Sequence, residues 1–142
     1  MHFDEAISFM LIYSNVLVSA LLSSHEDAAT VQVLARLFSG DFIPLFSDQI
    51  LKEYNDVLRR KKFGFSEGTV AALVGAIEKC GERVVPTPTG EILPDNKDFP
   101  FYEVVMEKQD DDAYLVTGNM KHFPKRPFIV SAREFLNLLE AN

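Results

Sequence analysis

Short apolar runs alternate with segments that are apolar at helical spacing, and this alternation restricts the chain to one class of architecture. Residues 7–12, 42–46, 83–85, 113–117 and 128–130 read as strands, with Pro44 interrupting the donor pattern of the second. Between them lie helical segments. An apolar stretch over 16–22 follows Asn15, and residues 26–38 place Val31, Leu34, Leu37 and Phe38 on one face before Gly40. Ser47 is placed to cap a helix with an Ile50, Tyr54, Val57 and Leu58 stripe, and Ser66 one with Val70, Leu73, Val74 and Ile77. Another helix begins near Pro100. Ser131-Ala132-Arg133-Glu134 forms a capping box before the terminal apolar stripe. Buried strands alternating with amphipathic helices make an α/β protein, with a parallel sheet covered on both faces.

The 142 residues suffice for one core and not for two domains, so a single domain over 1–142 is expected. Cys80 is the sole cysteine, which excludes a disulfide framework and a cysteine zinc site. No apolar run approaches the ~18 residues of a membrane span, and Asp4 and Glu5 argue against a signal peptide. A reducing cytoplasm is the expected compartment. The net charge of −7 weighs against a non-specific nucleic-acid coat, but the charge is uneven. Residues 91–112 hold eight acids and two lysines. Arg59-Arg60-Lys61-Lys62 is basic, as is the acid-free stretch bearing Lys121, Lys125 and Arg126.

In a parallel sheet, ligands bind beyond the carboxyl ends of the strands where strand order reverses. The residues there are Tyr13-Ser14-Asn15, Ser47-Asp48 and Thr117-Gly118-Asn119. Neither a dinucleotide fingerprint, a P-loop nor a hydrolase nucleophile elbow is present. Tyr13-Ser14 also lacks the acidic pair of a phospho-receiver. Asn15 is suited to cap the following helix. Glu53 borders the apolar stripe of its helix, either as a rim residue or as a carboxylate awaiting a cation or donor. Asp95 and Asp98 stand before a helix start, as caps or, with Glu53, as an oxygen-rich Mg²⁺ or Mn²⁺ site. His2, His25 and His122 lack zinc spacing, and His25-Glu26-Asp27 reads as a helix opening. The four cations at 59–62 suit a helix C-terminus as well as a phosphate backbone.

Leu11-Ile12-Tyr13-Ser14-Asn15-Val16-Leu17-Val18-Ser19-Ala20-Leu21-Leu22 resembles the opening strand and helix of PIN-domain proteins. The likeness continues through Ile50-Leu51-Lys52-Glu53-Tyr54, Val57-Leu58-Arg59-Arg60, Pro94-Asp95 to Asp98, and Pro100-Phe101. It closes with Tyr114-Leu115-Val116-Thr117-Gly118-Asn119 and Lys121-His122-Phe123-Pro124. The subgroup it is most similar to comprises toxin components of bacterial toxin–antitoxin systems (VapC-like ribonucleases). The resemblance implies a three-layer α/β/α fold with a mainly parallel central sheet and a Mg²⁺- or Mn²⁺-dependent endoribonuclease. It further implies an RNA substrate and an antitoxin partner, and a symmetric homodimer is the default expectation for a chain of this kind. By the same resemblance Glu53, Asp98 and Asn119 are catalytic, Glu53, Asp98 and Asp95 bind the metal, and Ser14, Asn15 and Thr117 orient the site. Arg59, Arg60, Lys121, Lys125 and Arg126 would contact RNA.

One position departs from the pattern. Tyr13 stands where the family carries its first metal-binding Asp, and a neutral phenol is a poor ligand for a hard cation. The expectation is weakened metal binding with low or absent nuclease activity. The alternative to an active toxin is a PIN domain that binds RNA or a protein partner without cleavage.

Overall fold

The computed structural model describes residues 8–141. Ile7, His2, Asp4 and Glu5 lie outside the described residues. Among the described residues five strands pair in parallel in the order β3-β2-β1-β4-β5: β1 (Phe9–Ile12), β2 (Ile43–Phe46), β3 (Glu82–Arg83), β4 (Tyr114–Val116) and β5 (Ile129–Val130). Among the described residues six α-helices flank them: α1 (Ser14–Leu22), α2 (Ala29–Phe38), α3 (Asp48–Leu58), α4 (Glu67–Cys80), α5 (Phe99–Glu107) and α6 (Ala132–Ala141). The arrangement is the three-layer α/β/α fold.

Strand order explains where a site can form. The chain leaves β1 toward β2 and β3, then crosses to β4 on the other side of β1. The reversal therefore falls between β1 and β4, whose carboxyl ends lead into Tyr13 and Thr117. The register Ile12↔Val116 sets those two ends level, and the Tyr13 amide donates to Val116 O at 2.9 Å. Met10, Leu11, Ile12, Leu115 and Val116 are essentially inaccessible, as the apolar runs require. Tyr54 of α3 donates from its hydroxyl to Ile12 O at 2.5 Å, tying that helix to the end of β1.

Three helix starts follow local chemistry. Ser47 Oγ accepts from the Ile50 amide and Ser66 Oγ from the Thr69 amide, each at 3.1 Å. Ser131 and Glu134 bond reciprocally, Ser131 N to Glu134 Oε1 at 2.8 Å and Glu134 N to Ser131 Oγ at 3.1 Å. Pro44 fits because Ile43 donates to Ser8 O on the β1 side, so position 44 faces β3. Pairing with β3 starts only at Leu45↔Glu82, beyond the proline.

Several boundaries differ from the sequence expectation. Asn15 does not cap α1. The chain enters the helix directly from β1, with Tyr13 as the extended boundary residue and its carbonyl accepting from Val16 N at 2.9 Å. The α2 helix starts at Ala29, because the Ala28 carbonyl takes the first helical bond from Gln32; His25-Glu26-Asp27 forms a turn instead. The third strand is Glu82–Arg83 rather than 83–85, although Val84 N still reaches Phe46 O at 2.7 Å. Phe42 is buried ahead of β2 rather than within it.

Candidate functional site

Three chain segments meet at the β1/β4 end of the sheet: Tyr13-Ser14-Asn15 after β1, Thr117-Gly118-Asn119 after β4, and the 3-10 turn Asn96–Asp98 before α5. Thr117 is fully buried, and its Oγ1 accepts from the Asn119 amide at 3.0 Å, fixing that turn. Gly118 lets the turn approach α1, since a Cβ there would stand 3.3 Å from Asn15 Nδ2. Asp95 caps the 3-10 turn by accepting from Lys97 N at 2.9 Å. Asp98 does not cap. Its side chain turns inward and is wholly inaccessible.

A buried carboxylate needs a donor or a cation, and Asp98 has Tyr13. The Tyr13 hydroxyl donates to Asp98 Oδ1 at 2.5 Å. The phenol ring is wedged between Phe101 and Phe123, with centroids 4.8 and 5.8 Å away. Asp98 Oδ2 faces His122 Nδ1 at 3.2 Å, but the alignment is too poor for a hydrogen bond, and both atoms stay unpartnered among the described residues. Burial pushes the Tyr13 phenol well above its ordinary value. The Asp98 hydrogen bond and the charges of Asp98, Asp95 and Glu53 push the same way.

Burial likewise raises Tyr54, and burial with the Glu91 hydrogen bond pushes Tyr102 up to about 12. Raised phenols favour folding while they keep their protons. Their contribution is complete below the unfolded value of about 10 and declines as pH rises above it. Stability is therefore expected to fall steadily above pH ~10. Ultraviolet titration should show these three phenolates appearing only near or after unfolding. Ionisation of all tyrosines near pH 10 in folded protein would contradict the buried phenol at position 13.

In front of Tyr13 is an open pocket of about 270 Å³. Its walls include Tyr13, Ser14, Asn15, Glu53, Asp95 and Asn119, together with Val18, Val57, Arg60, Phe63 and Lys97. The structure thus brings the expected Glu53, Asp95, Asn119, Ser14 and Asn15 to one cavity. Asp98 stands behind Tyr13 instead of lining it. Arg60 also reaches the pocket, whereas Arg59 is bound bidentately by Glu67 and contacts Asn55. Arg126 pairs with Glu91 at 3.1 Å, while Lys121 and Lys125 are exposed without an ion pair among the described residues. Phe63, Lys97 and the Asp98–His122 approach were not foreseen. Phe63 follows the basic run and was open to reading as a nucleic-acid signal; His122 carried no such spacing.

A divalent ion requires several convergent oxygen or nitrogen ligands. Among the described residues, no three His, Cys, Asp or Glu side chains are placed to hold one. With one Asp98 oxygen capped by a phenol and the carboxylate sealed from solvent, these residues do not fit a metal ion. No helix among the described residues is long and apolar enough to cross a membrane.

A sequence model of the PIN domain matches residues 10–121. The fold is similar to the crystal structure of PAE2754 from Pyrobaculum aerophilum, with a TM-score of 0.58 over 96% of this chain and 92% of that one, at 14% identity. No curated protein sequence matches.

Proposed function

The chain belongs to the PIN domain family, and from that premise we propose a toxin-type member of a bacterial toxin–antitoxin pair whose nuclease site is shut by Tyr13 and which binds RNA without cleaving it. Family membership carries a nuclease-like function and RNA binding, and PIN domains generally use divalent metal ions. The observation behind the closed-site reading is the 2.5 Å hydrogen bond from Tyr13 to Asp98. The phenol supplies a proton where a cation would otherwise balance the carboxylate, and its ring fills the space in front.

In this reading Glu53, Asp98 and Asn119 are the catalytic set left without its first acid, with Asp95 beside them. Ser14, Asn15 and Thr117 shape the rim. Arg60, Lys121 and Lys125 meet RNA phosphates, and Arg59 and Arg126 are committed to Glu67 and Glu91. Residues 1–142 act as one domain in a bacterial cytoplasm, with an antitoxin and a second copy as protein partners. Acidic walls at Glu53 and Asp95 would favour a basic antitoxin segment.

The test is RNA binding measured in EDTA. Binding is expected without metal, with affinity falling steeply as salt rises. The double variant Lys121→Glu/Lys125→Glu should weaken it by roughly tenfold or more, because two phosphate contacts become repulsive. Absence of RNA binding at low salt would remove the reading.

A further inference from the structure

The wall of the 270 Å³ pocket includes polar residues whose atoms the packing leaves unpartnered. Ser14 is 5% exposed, yet its Oγ has no hydrogen-bond partner among the described residues, and Asn15 Oδ1 is likewise buried and unpartnered. Leaving such atoms unpaired is costly, and both residues belong to the pocket wall, so the polar wall here is under-satisfied. The remaining polar wall holds the carboxylates of Glu53 and Asp95, with Asp95 Oδ1 already accepting from Lys97 N, and the amide of Asn119. Two aromatic rings, Tyr13 and Phe63, complete the cavity, and Phe63 is backed by Phe65 in a stacked pair at 5.6 Å. Arg60 and Lys97, both exposed, also line the pocket and form no ion pair among the described residues.

An aromatic wall, a cationic rim and an interior of acceptors match an unpaired nucleotide. The ring stacks on side chains, the phosphates meet cations, and the base edge is read by hydrogen bonds. Acceptor-rich walls select a base edge that presents adjacent donors. Guanine offers N1–H and N2–H₂ side by side, which a single carboxylate accepts as a parallel pair. Adenine and cytosine offer one amino group next to a ring acceptor, and uracil one N–H between two carbonyls.

Resting on the RNA-binding reading above, we propose that this pocket is a metal-independent subsite for an unpaired guanine of single-stranded RNA, with the base against Phe63 and the flanking phosphates at Arg60 and Lys97. The subsite exists because Tyr13 keeps the cavity free of a cation. Glu53 and Asp95 then face a base edge.

The experiment is fluorescence anisotropy in EDTA with labelled r(UUGUU) and r(UUUUU), with unlabelled GMP as competitor. Tighter binding of r(UUGUU) by tenfold or more is expected. Phe63→Ala should lower affinity for r(UUGUU) about tenfold while changing r(UUUUU) far less, since stacking is lost at one base. Phe63→Tyr, which keeps a ring, should retain the preference. Equal affinities for the two oligonucleotides, or a Phe63→Ala variant that keeps the full preference, would overturn the subsite and leave the RNA-binding reading standing. Competition by GMP as strong as by the oligonucleotide would also overturn it, assigning the pocket to free nucleotides. Binding of neither oligonucleotide would remove the RNA-binding reading itself.

Discussion

Replacing Tyr13 with Asp is expected to create RNA cleavage that depends on Mn²⁺ or Mg²⁺. The gain over the unmodified protein should be at least about 100-fold, equivalent to roughly 2.7 kcal/mol of barrier. Three changes act together. The ring leaves the space between Phe101 and Phe123, Asp98 Oδ1 loses its donor, and a second carboxylate joins it at the end of β1. Glu53 and Asp95 already exert their charge on that position. Four acids so close repel one another, and that repulsion is what a divalent ion relieves. The variant should consequently be less stable without metal and gain thermal stability when Mn²⁺ is added. Adding Glu53→Ala to Tyr13→Asp should abolish the new cleavage. A folded Tyr13→Asp protein that stays inert in both metals would contradict the closed-site account. So would cleavage by the unmodified protein that Glu53→Ala eliminates.

The second large effect concerns the frame. Gly81 joins α4 to β3, and a Cβ there would stand 2.5 Å from the Ile77 carbonyl and closer still to the Pro44 carbonyl. Both obstacles are backbone, so no side chain can swing away. Gly81→Ala is expected to destabilise the protein by about 3 kcal/mol, the upper part of the range for overpacking. The displacement would fall on β2 and β3, where Arg83 meets Asp48 and Glu78. Urea denaturation of both proteins reads the shift. A change within about 0.5 kcal/mol, as at an ordinary surface position, would contradict the close approach.

Much of the fold was legible because its determinants are local. Apolar runs of strand length, helical stripes, and the Ser47, Ser66 and Ser131 caps all depend on residues within a few positions of one another. The failures lay where a distant segment decided the outcome. Asn15 looked like a cap, but Tyr13 passes straight from β1 into α1 because its amide is held by Val116, over a hundred residues away in sequence. Glu26 and Asp27 looked like a helix opening, yet the first helical bond belongs to Ala28.

Which residues gather at the candidate pocket was legible, and how they are arranged was not. Glu53, Asp95 and Asn119 gather in one pocket, as the spacing of their elements allows. That Asp98 turns inward depends on the Tyr13 hydroxyl, and no local pattern links positions 85 residues apart. Arg59 illustrates the same gap on the surface. Within its basic run it looked equivalent to Arg60, but Glu67 at the start of α4 claims it and leaves Arg60 at the pocket.

Asp98 is held by a hydrogen bond from a neutral phenol and not by a metal ion. Calorimetric titration with Mn²⁺ tests it without reference to any RNA. No saturable binding is expected up to millimolar Mn²⁺ for the unmodified protein, and one site is expected for Tyr13→Asp. Saturable binding by the unmodified protein that Asp98→Asn abolishes would contradict it.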